Sequence, residues 1–444
     1  MPTNRRTFIR QSALATAGTG LLGSMTTPVW GSRPTPPASE KINVALIGCR
    51  NMGFGILKHH LSNPEVNCVA LCDIDENVLN EKAADVKKNH NQSPKLYRDF
   101  RKVLEQKDID AVIIGTPDHW HCLIMVTALQ AGKHVYVEKP MANTIAECDI
   151  MVKAANYYKK TVQVGQQQRS GFLFQKANEL VKSGKIGKLR KVNIWANFEY
   201  GTGPAIVPDE PVPAGVDYDM WLGPAPKRPY NKNRFHGSWR HFWDYGGGLQ
   251  SDWGVHLLDM GLWTKDILQA PPKTLVYAAN TYGQERARET PDSMTISFPK
   301  EDFVINYEVT AGLQRGPWDM TYGIAFVGND ATLVCDRSKL MVYPEWDNNA
   351  RKARAEEYKF TEGKESHGEH VRNFLDCIKS GNRPASPPEV GRAAAMHAHI
   401  ANIAARTGES FLLWDEEYRR FTNSEAANRL ITPEYRAPWK LPVV

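Results

Sequence analysis

Ile42-Asn43-Val44-Ala45-Leu46-Ile47-Gly48-Cys49-Arg50-Asn51-Met52-Gly53 is the stretch whose reading decides the fold. Its first six residues form a short apolar run, the pattern of a strand buried in a parallel sheet. Glycines at 48 and 53 then mark a tight turn, and a helical pattern runs on to about residue 62. Outward from this unit, strand-like runs at 66–71, 111–114, 134–137 and 162–164 alternate with helical runs at 78–89, 97–104, 121–131 and 145–159. That alternation predicts βαβ units and a doubly wound parallel sheet. Right-handed crossovers place every strand's C-terminal end on one edge, which is the ligand-binding edge of such sheets.

The second half has another rhythm. Runs at 191–200, 274–279, 294–298, 303–309, 322–327 and 332–335 read as strands with few helices between them. Val304, Asn306 and Glu308 alternate with Ile305 and Tyr307, which suggests a largely antiparallel sheet. Helices are expected at 371–379 and 390–406. The fold class is therefore an α/β Rossmann domain, 41–168, followed by an α+β domain, 169–444, with an open-faced, mostly antiparallel sheet. An uncovered apolar sheet face marks an interaction surface, so a homo-oligomer is expected.

The predicted strand ends carry the chemistry. In the glycine turn, Gly48 and Gly53 occupy the first and third positions of GxGxxG, while Arg50 replaces the second; Asn51 and Met52 complete it. The middle glycine normally lets the backbone approach a dinucleotide's pyrophosphate, and Arg50 offers a guanidinium to the phosphates instead. Asp73 lies about twenty residues on, at the end of the next strand. An acid there accepts hydrogen bonds from a ribose 2′-OH and repels a 2′-phosphate, which favours NAD over NADP; a turn or helix cap is the other reading. Gly115-Thr116-Pro117 ends the next strand, and His119 and His121 follow it. Each histidine reads either as part of the cofactor wall or as a surface or cap residue, and no ligand cluster for a metal stands nearby. Glu138-Lys139-Pro140 ends the next strand, where a lysine is a proton donor or acceptor if it faces the site and a solvated side chain if it does not.

Tyr245-Gly246-Gly247-Gly248-Leu249-Gln250-Ser251-Asp252-Trp253-Gly254-Val255-His256 stands out in the second half. A helix follows the three glycines, and Asp252 and His256 stand at i and i+4, so their side chains share one helical face. A carboxylate and an imidazole so placed can share a proton; a capped helix with a polar face is the alternative. The segment from Trp195 to Trp243 is rich in Trp, Tyr, Arg and His, including Trp239 and Arg240. Aromatic faces and guanidinium groups suit a sugar pocket, and core packing explains part of the same composition.

These motifs, in this order and together with Val164-Gly165-Gln166-Gln167-Gln168-Arg169, resemble the Gfo/Idh/MocA family of oxidoreductases (glucose–fructose oxidoreductase and inositol dehydrogenase among them). The resemblance covers nearly all of the chain beyond its first forty residues. It implies hydride transfer between NAD(P) and a sugar or polyol carbon. Lys139 matches the family's catalytic lysine, His256 its acid/base histidine, and Asp252 the neighbouring acid. Glu138 and Gln167 fall where cofactor-pocket residues lie, and Arg169 joins Trp239, Arg240, Lys139, Asp252 and His256 as a candidate substrate contact. Arg50 is the main departure from the pattern.

Composition narrows the rest. The chain has 444 residues, a formal charge of +6, 42% hydrophobic and 23% charged residues, an ordinary globular balance. Basic runs such as Lys159-Lys160 are short, and no basic stripe interleaved with aromatics points to nucleic acid. Seven cysteines without CxxC spacing read as buried free thiols. Asn4-Arg5-Arg6-Thr7-Phe8-Ile9-Arg10, a weakly apolar stretch at 13–25 and Val29-Trp30-Gly31 form a twin-arginine export pattern over 1–31. The stretch is too short to span a membrane, and 32–40 is a proline-bearing linker. A periplasmic protein exported already folded is expected to carry its nucleotide with it, held tightly. The alternatives are an NAD-dependent glycosidase or lyase that oxidises its sugar transiently, and a non-catalytic NAD-binding protein.

Overall fold

The described residues are 41–361, 363 and 366–444 of a computed structural model; the expected export signal and linker lie outside them. From the N-terminal side come β1 (Ile42–Ile47), α1 (Asn51–Leu61), β2 (Val66–Cys72), α2 (Glu76–His90), β3 (Lys95–Tyr97), α3 (Phe100–Leu104), β4 (Ala111–Ile114), α4 (His121–Gln130), β5 (His134–Val137), α5 (Ile145–Tyr158) and β6 (Val162–Val164). The strands form a six-stranded sheet in the order β3-β2-β1-β4-β5-β6, with every pairing parallel. The order reverses between β1 and β4, and a crevice opens at such a point. The apolar run of β1 is buried because its side chains enter clusters on both faces of the sheet.

The helix expected at 97–104 is a correction. Tyr97 ends β3, and α3 starts only at Phe100, because the Asp99 carboxylate accepts the Arg101 N–H and caps the helix there.

The rest of the chain adds α6 (Phe172–Lys182), β7 (Leu189–Ala196), α7 (Tyr218–Leu222), α8 (Gly248–Asp252), α9 (Gly254–Trp263), β8 (Lys273–Ala279), β9 (Ser293–Pro299), β10 (Val304–Thr310), β11 (Tyr322–Gly328), β12 (Ala331–Cys335), β13 (Leu340–Pro344), β14 (Trp346–Asp347), β15 (Lys352–Ala353), β16 (Tyr358–Phe360), α10 (His367–Ser380), α11 (Pro388–Thr407), β17 (Phe411–Asp415) and β18 (Arg420–Phe421). Ten of these strands make one sheet, β16-β13-β12-β11-β7-β10-β9-β8-β17-β18. It is antiparallel except where β10 runs parallel to β7. One face packs on α6, α9 and α11 through the largest apolar cluster. Helix α6 was not anticipated, although Leu173, Phe174, Ala177, Leu180 and Val181 carry its spacing.

The opposite face differs from expectation. Its centre is a polar row: Ser297 Oγ donates to Asn306 Oδ1 (2.7 Å), and Asn306 Nδ2 to Asn193 Oδ1 (3.3 Å). Apolar exposure gathers instead at Leu275, Tyr277 and Phe411 on β8 and β17. The boundary at 168/169 is not a clean cut either. Helix α10 returns to the first domain and buries Val371, Phe374 and Leu375 with residues of α1 and β1. All seven cysteines are buried and unpaired. Among the described residues no helix is long and apolar enough to cross a membrane.

Candidate active site

A cleft of about 1120 Å³, open mouth included, runs along the C-terminal edge of the parallel sheet. Its floor is the reversal point. Gly115 N–H donates to the Ile47 carbonyl (2.9 Å), so the ends of β1 and β4 meet. Glycines make that meeting possible. A Cβ on Gly53 would sit 2.2 Å from the Gly48 carbonyl oxygen, and one on Gly115 would sit 2.4 Å from Gly53 Cα. Gly48 itself has φ +88°, a conformation glycine adopts without strain.

Gly48, Arg50, Asn51 and Met52 line the cleft together with Asp73, Thr116, Pro117, Glu138 and Lys139; Gly53 packs beneath them. Arg50 stands at the N-cap position of α1, makes no side-chain cap bond, and aligns the helix N-terminus with the cleft. Asp73 answers the choice posed by its position: its Oδ2 accepts the Cys49 N–H (2.7 Å) and its Oδ1 the Asp75 N–H (3.0 Å). It fastens the glycine turn while still lining the cleft, and Asp75, not Asp73, caps α2. Burial pushes the Asp73 carboxyl up, against those backbone donors.

Three expected cofactor contacts lie elsewhere. His119 Nε2 donates to the Trp221 carbonyl (3.1 Å), and its ring packs on Trp221 and Tyr245. His121 stands 2.9 Å from both the Thr116 and Pro140 carbonyls and so ties two cleft-forming turns together. Burial pulls both rings down to about 4. Gln167 is buried beside a separate hollow near Gly171 and Ser366. These residues support the cleft without lining it.

A charged cluster gathers at the far end of β5. Lys139 Nζ donates to Asp252 Oδ1 (2.5 Å) and to the Asp252 backbone carbonyl (3.1 Å). An ammonium has three protons, so one is left for the cleft. Asp252 Oδ2 accepts the Tyr200 hydroxyl (2.8 Å) and lies 3.3 Å from Arg240 Nε. Lys139 and Arg240 hold the Asp252 carboxyl well below the usual carboxylate range, although burial opposes them. Arg240 stacks on the Trp239 ring, 4.4 Å from its centroid, and both line the cleft.

Asp252 ends α8 and His256 belongs to α9, with Trp253 between them still in the right-handed helical region. No hydrogen bond joins the two residues, because Lys139, Tyr200 and Arg240 occupy the carboxylate. His256 is buried, its Nδ1 has no partner among the described residues, and burial lowers it well below the ordinary range. Arg169 lies outside the cleft lining. Its Nε and Nη2 donate to both oxygens of Asp259 at 2.8–2.9 Å, and its guanidinium sits over Trp263. Asp259 thus engages two of its three nitrogens. The aromatic segment is mostly core: Tyr218, Trp221, Tyr230, Phe235, Phe242 and Tyr245 bury one another. Tyr200, Asp118, Met220 and His236 are site residues that the sequence reading missed. Only Asp118, directly after Gly115-Thr116-Pro117, carried a positional signal.

Glu138 gives a pH prediction. It is packed against Gly165, where a Cβ would come within 2.6 Å of its Oε1, and burial raises its carboxyl to about 7. Glu147, which accepts from the Tyr435 hydroxyl (2.6 Å), is raised to about 7 for the same reason. Between the ordinary value and 7 the folded protein keeps a proton that the unfolded chain has lost, so stability falls as pH rises through that window. Each group is expected to contribute roughly 3 kcal/mol of this decline. Unfolding midpoints from about pH 5 to about pH 8 should fall less steeply in Glu138→Gln than in the native protein. Identical slopes would contradict the assignment.

The model of the Gfo/Idh/MocA oxidoreductase family, NAD-binding Rossmann fold, matches residues 42–166, and that of the family's C-terminal alpha/beta domain matches residues 170–278. Together they span more than half of the chain. The chain belongs to this oxidoreductase family. It is similar to a glycosyl hydrolase family 109 protein of Saccharopolyspora erythraea, 33% identical over 162 residues, which cover 33% of this chain and 35% of that relative. Its fold resembles an oxidoreductase domain protein from Kribbella flavida, with a TM-score of 0.64 and 20% identity over 86% of this chain and 98% of the other. It also resembles the WlbA dehydrogenase from Bordetella pertussis, solved with NADH and UDP-GlcNAcA, with a TM-score of 0.59 and 20% identity over 83% and 97%. At these identities the likeness to solved structures is one of fold.

The first domain is thus an NAD-binding Rossmann fold, and its residues fit the nucleotide. Arg50, Asn51 and Met52 at the N-terminal end of α1 line the cleft, and Arg50 is a cation on its wall. The buried Thr116 hydroxyl lacks a partner among the described residues, as a ligand-facing group would.

Proposed function

We propose that this protein is an NAD(P)-dependent oxidoreductase acting on a hydroxyl of a sugar, glycoside or polyol, with the nucleotide held tightly. The observation that carries this reading is the Lys139–Asp252 pair, set beside the glycine floor with one lysine donor directed to the cleft. When bound, NAD supplies the hydride acceptor. Lys139 hydrogen-bonds the reacting oxygen. In the oxidising direction Lys139 takes up the hydroxyl proton after its cleft-facing proton has passed to solvent, and Asp252 steadies the ammonium so restored. Tyr200 and Arg240 hold Asp252 in place. The direct proton role expected of His256 thereby passes to Lys139, which lines the cleft as His256 does not.

Tight retention is supported by a strap from the second half of the chain. Met220, Trp221, His236, Trp239 and Arg240 line the cleft opposite the sheet edge. The strap is fastened to the β2–α2 turn: Asp217 N–H donates to the Ile74 carbonyl (2.9 Å), Glu76 N–H to the Gly215 carbonyl (3.0 Å), and His236 Nε2 pairs with Asp75 Oδ2 (2.7 Å). Arg436 Nη1 braces it from outside through Asp219 Oδ1 (2.6 Å). A nucleotide beneath this strap leaves only when the strap opens. Residence of this kind suits export by the twin-arginine route to a periplasm poor in free NAD, and it implies that the nucleotide is recycled in place.

A second reading is favoured by relatives named glycosyl hydrolase family 109 proteins: transient sugar oxidation that eases glycosidic cleavage. A panel of chromogenic glycosides and free sugars separates the two. The oxidoreductase reading predicts a lasting change in nucleotide redox state with sugars and no released aglycone. Aglycone release without net NADH would transfer the assignment to the glycosidase. A requirement for added NAD at every turnover would overturn tight retention.

A further inference from the structure

We propose that Asp118 hydrogen-bonds a hydroxyl of the sugar substrate and sets which sugars the site accepts; this rests on the oxidoreductase reading above. Asp118 opens the short turn Asp118–Trp120 after β4, on the same sheet edge as Glu138 and Lys139. Its side chain lines the cleft and is only 4% exposed. No described residue gives its carboxyl a hydrogen bond, whereas the other cleft-lining carboxyls are partnered. Asp73 accepts two backbone N–H groups, and Glu138 accepts the Lys139 N–H. Buried polar groups in native proteins are nearly always hydrogen-bonded, so an exception facing a ligand cleft marks a place where a ligand completes the set.

The neighbourhood identifies which ligand. The charges acting on Asp118 are chiefly those of Arg240 and Lys139, with Asp252 and Glu147 opposing them. Lys139, Asp252 and Arg240 are the proton-handling cluster, whereas Arg50 and Asp73 at the glycine turn do not figure among these charges. Asp118 therefore faces the reacting end of the cleft. Burial pushes its carboxyl well up, toward the form that pairs an O–H donor with a carbonyl acceptor. A sugar hydroxyl both donates and accepts, and matches that pair. A site built to hydrogen-bond a substrate hydroxyl rejects the analogue lacking it strongly, because the buried partner is then left unsatisfied.

The test is a series of monodeoxy analogues of whichever sugar the native enzyme turns over, run on the native protein, Asp118→Ala and Asp118→Asn. The native enzyme is expected to lose about 100-fold or more in kcat/KM at one deoxy position. In Asp118→Ala that penalty should collapse to a few-fold, with bound nucleotide unchanged and the unfolding temperature equal or higher, since a carboxyl held in a largely buried place without a protein hydrogen bond has been removed. Asp118→Asn, which keeps a donor and an acceptor, should retain part of the penalty, and it is the variant to read if Asp118→Ala does not fold. A full deoxy penalty at every position in both variants overturns the assignment. So does loss of nucleotide with the penalty intact, which would give Asp118 to the cofactor. A native protein that changes its nucleotide's redox state with no sugar overturns the underlying reading, and this assignment with it.

Discussion

Replacing Lys139 with alanine is expected to cut turnover by about 10²–10⁴-fold, the usual loss when a positioned acid–base group is removed, while leaving the nucleotide bound. The two outcomes separate because the groups are separate. The glycine floor, Asp73 and the strap do not depend on the Lys139 amine. Asp252 would keep the Tyr200 hydroxyl and Arg240, so its carboxylate is not left bare in the interior. Single-turnover change of nicotinamide absorbance gives the rate, and nucleotide released on denaturation gives the occupancy. The defect should lie in kcat more than in KM, since the lysine acts on an oxygen whose charge changes only in the reaction. Unchanged turnover would remove Lys139 from the mechanism and revive His256 as the proton group. Loss of nucleotide would recast the lysine as a binding residue.

The second large effect concerns stability. Asp259→Ala is expected to cost about 3–5 kcal/mol, the range for removing one partner of a buried ion pair. Arg169 has only 10% of its side chain exposed and Asp259 2%, so the surviving guanidinium would be a buried cation without its counterion. Gln166 shares the loss: its side-chain amide, oriented to donate, lies 2.7 and 3.2 Å from the Asp259 oxygens. A shift of the denaturation midpoint to milder conditions measures the effect. A substrate role for Arg169 predicts the opposite pattern, a raised KM at unchanged stability.

The fold was legible where one period dominates. The buried run of β1, the glycines after it and the apolar strand ends carry enough local information to specify a parallel sheet, and β5 and β6 have the bounds that their apolar runs suggest. Asp99 is where the periodicity misled: a helix pattern continues across Tyr97, and a side-chain cap set the true start. The open sheet face misled differently. Alternation in β10 is real, but it places Asn306 in a hydrogen-bonded row rather than on an apolar surface.

In the site, Lys139 and Asp252 were legible as residues but not as a pair. Their contact crosses from β5 to the end of α8, and no spacing along the chain encodes it. The i,i+4 relation of Asp252 and His256 suggested a hydrogen-bonded pair, whereas the Asp252 carboxylate is engaged by Lys139, Tyr200 and Arg240. Tyr200 and His236 were invisible for the same reason: Tyr200 meets Asp252 across 52 residues of the second half, and His236 meets Asp75 only after the second half folds over the first. Arg169 shows the converse: a cation next to a motif read as a ligand contact, when its partner was Asp259 on α9.

The most direct measurement of the central claim is on the protein purified without added nucleotide. Denatured, it should release a stoichiometric nicotinamide dinucleotide. Intact, that bound nucleotide should change redox state when a suitable sugar is added. A protein that releases no nucleotide, or whose bound nucleotide is indifferent to every sugar, glycoside and polyol offered, would contradict it.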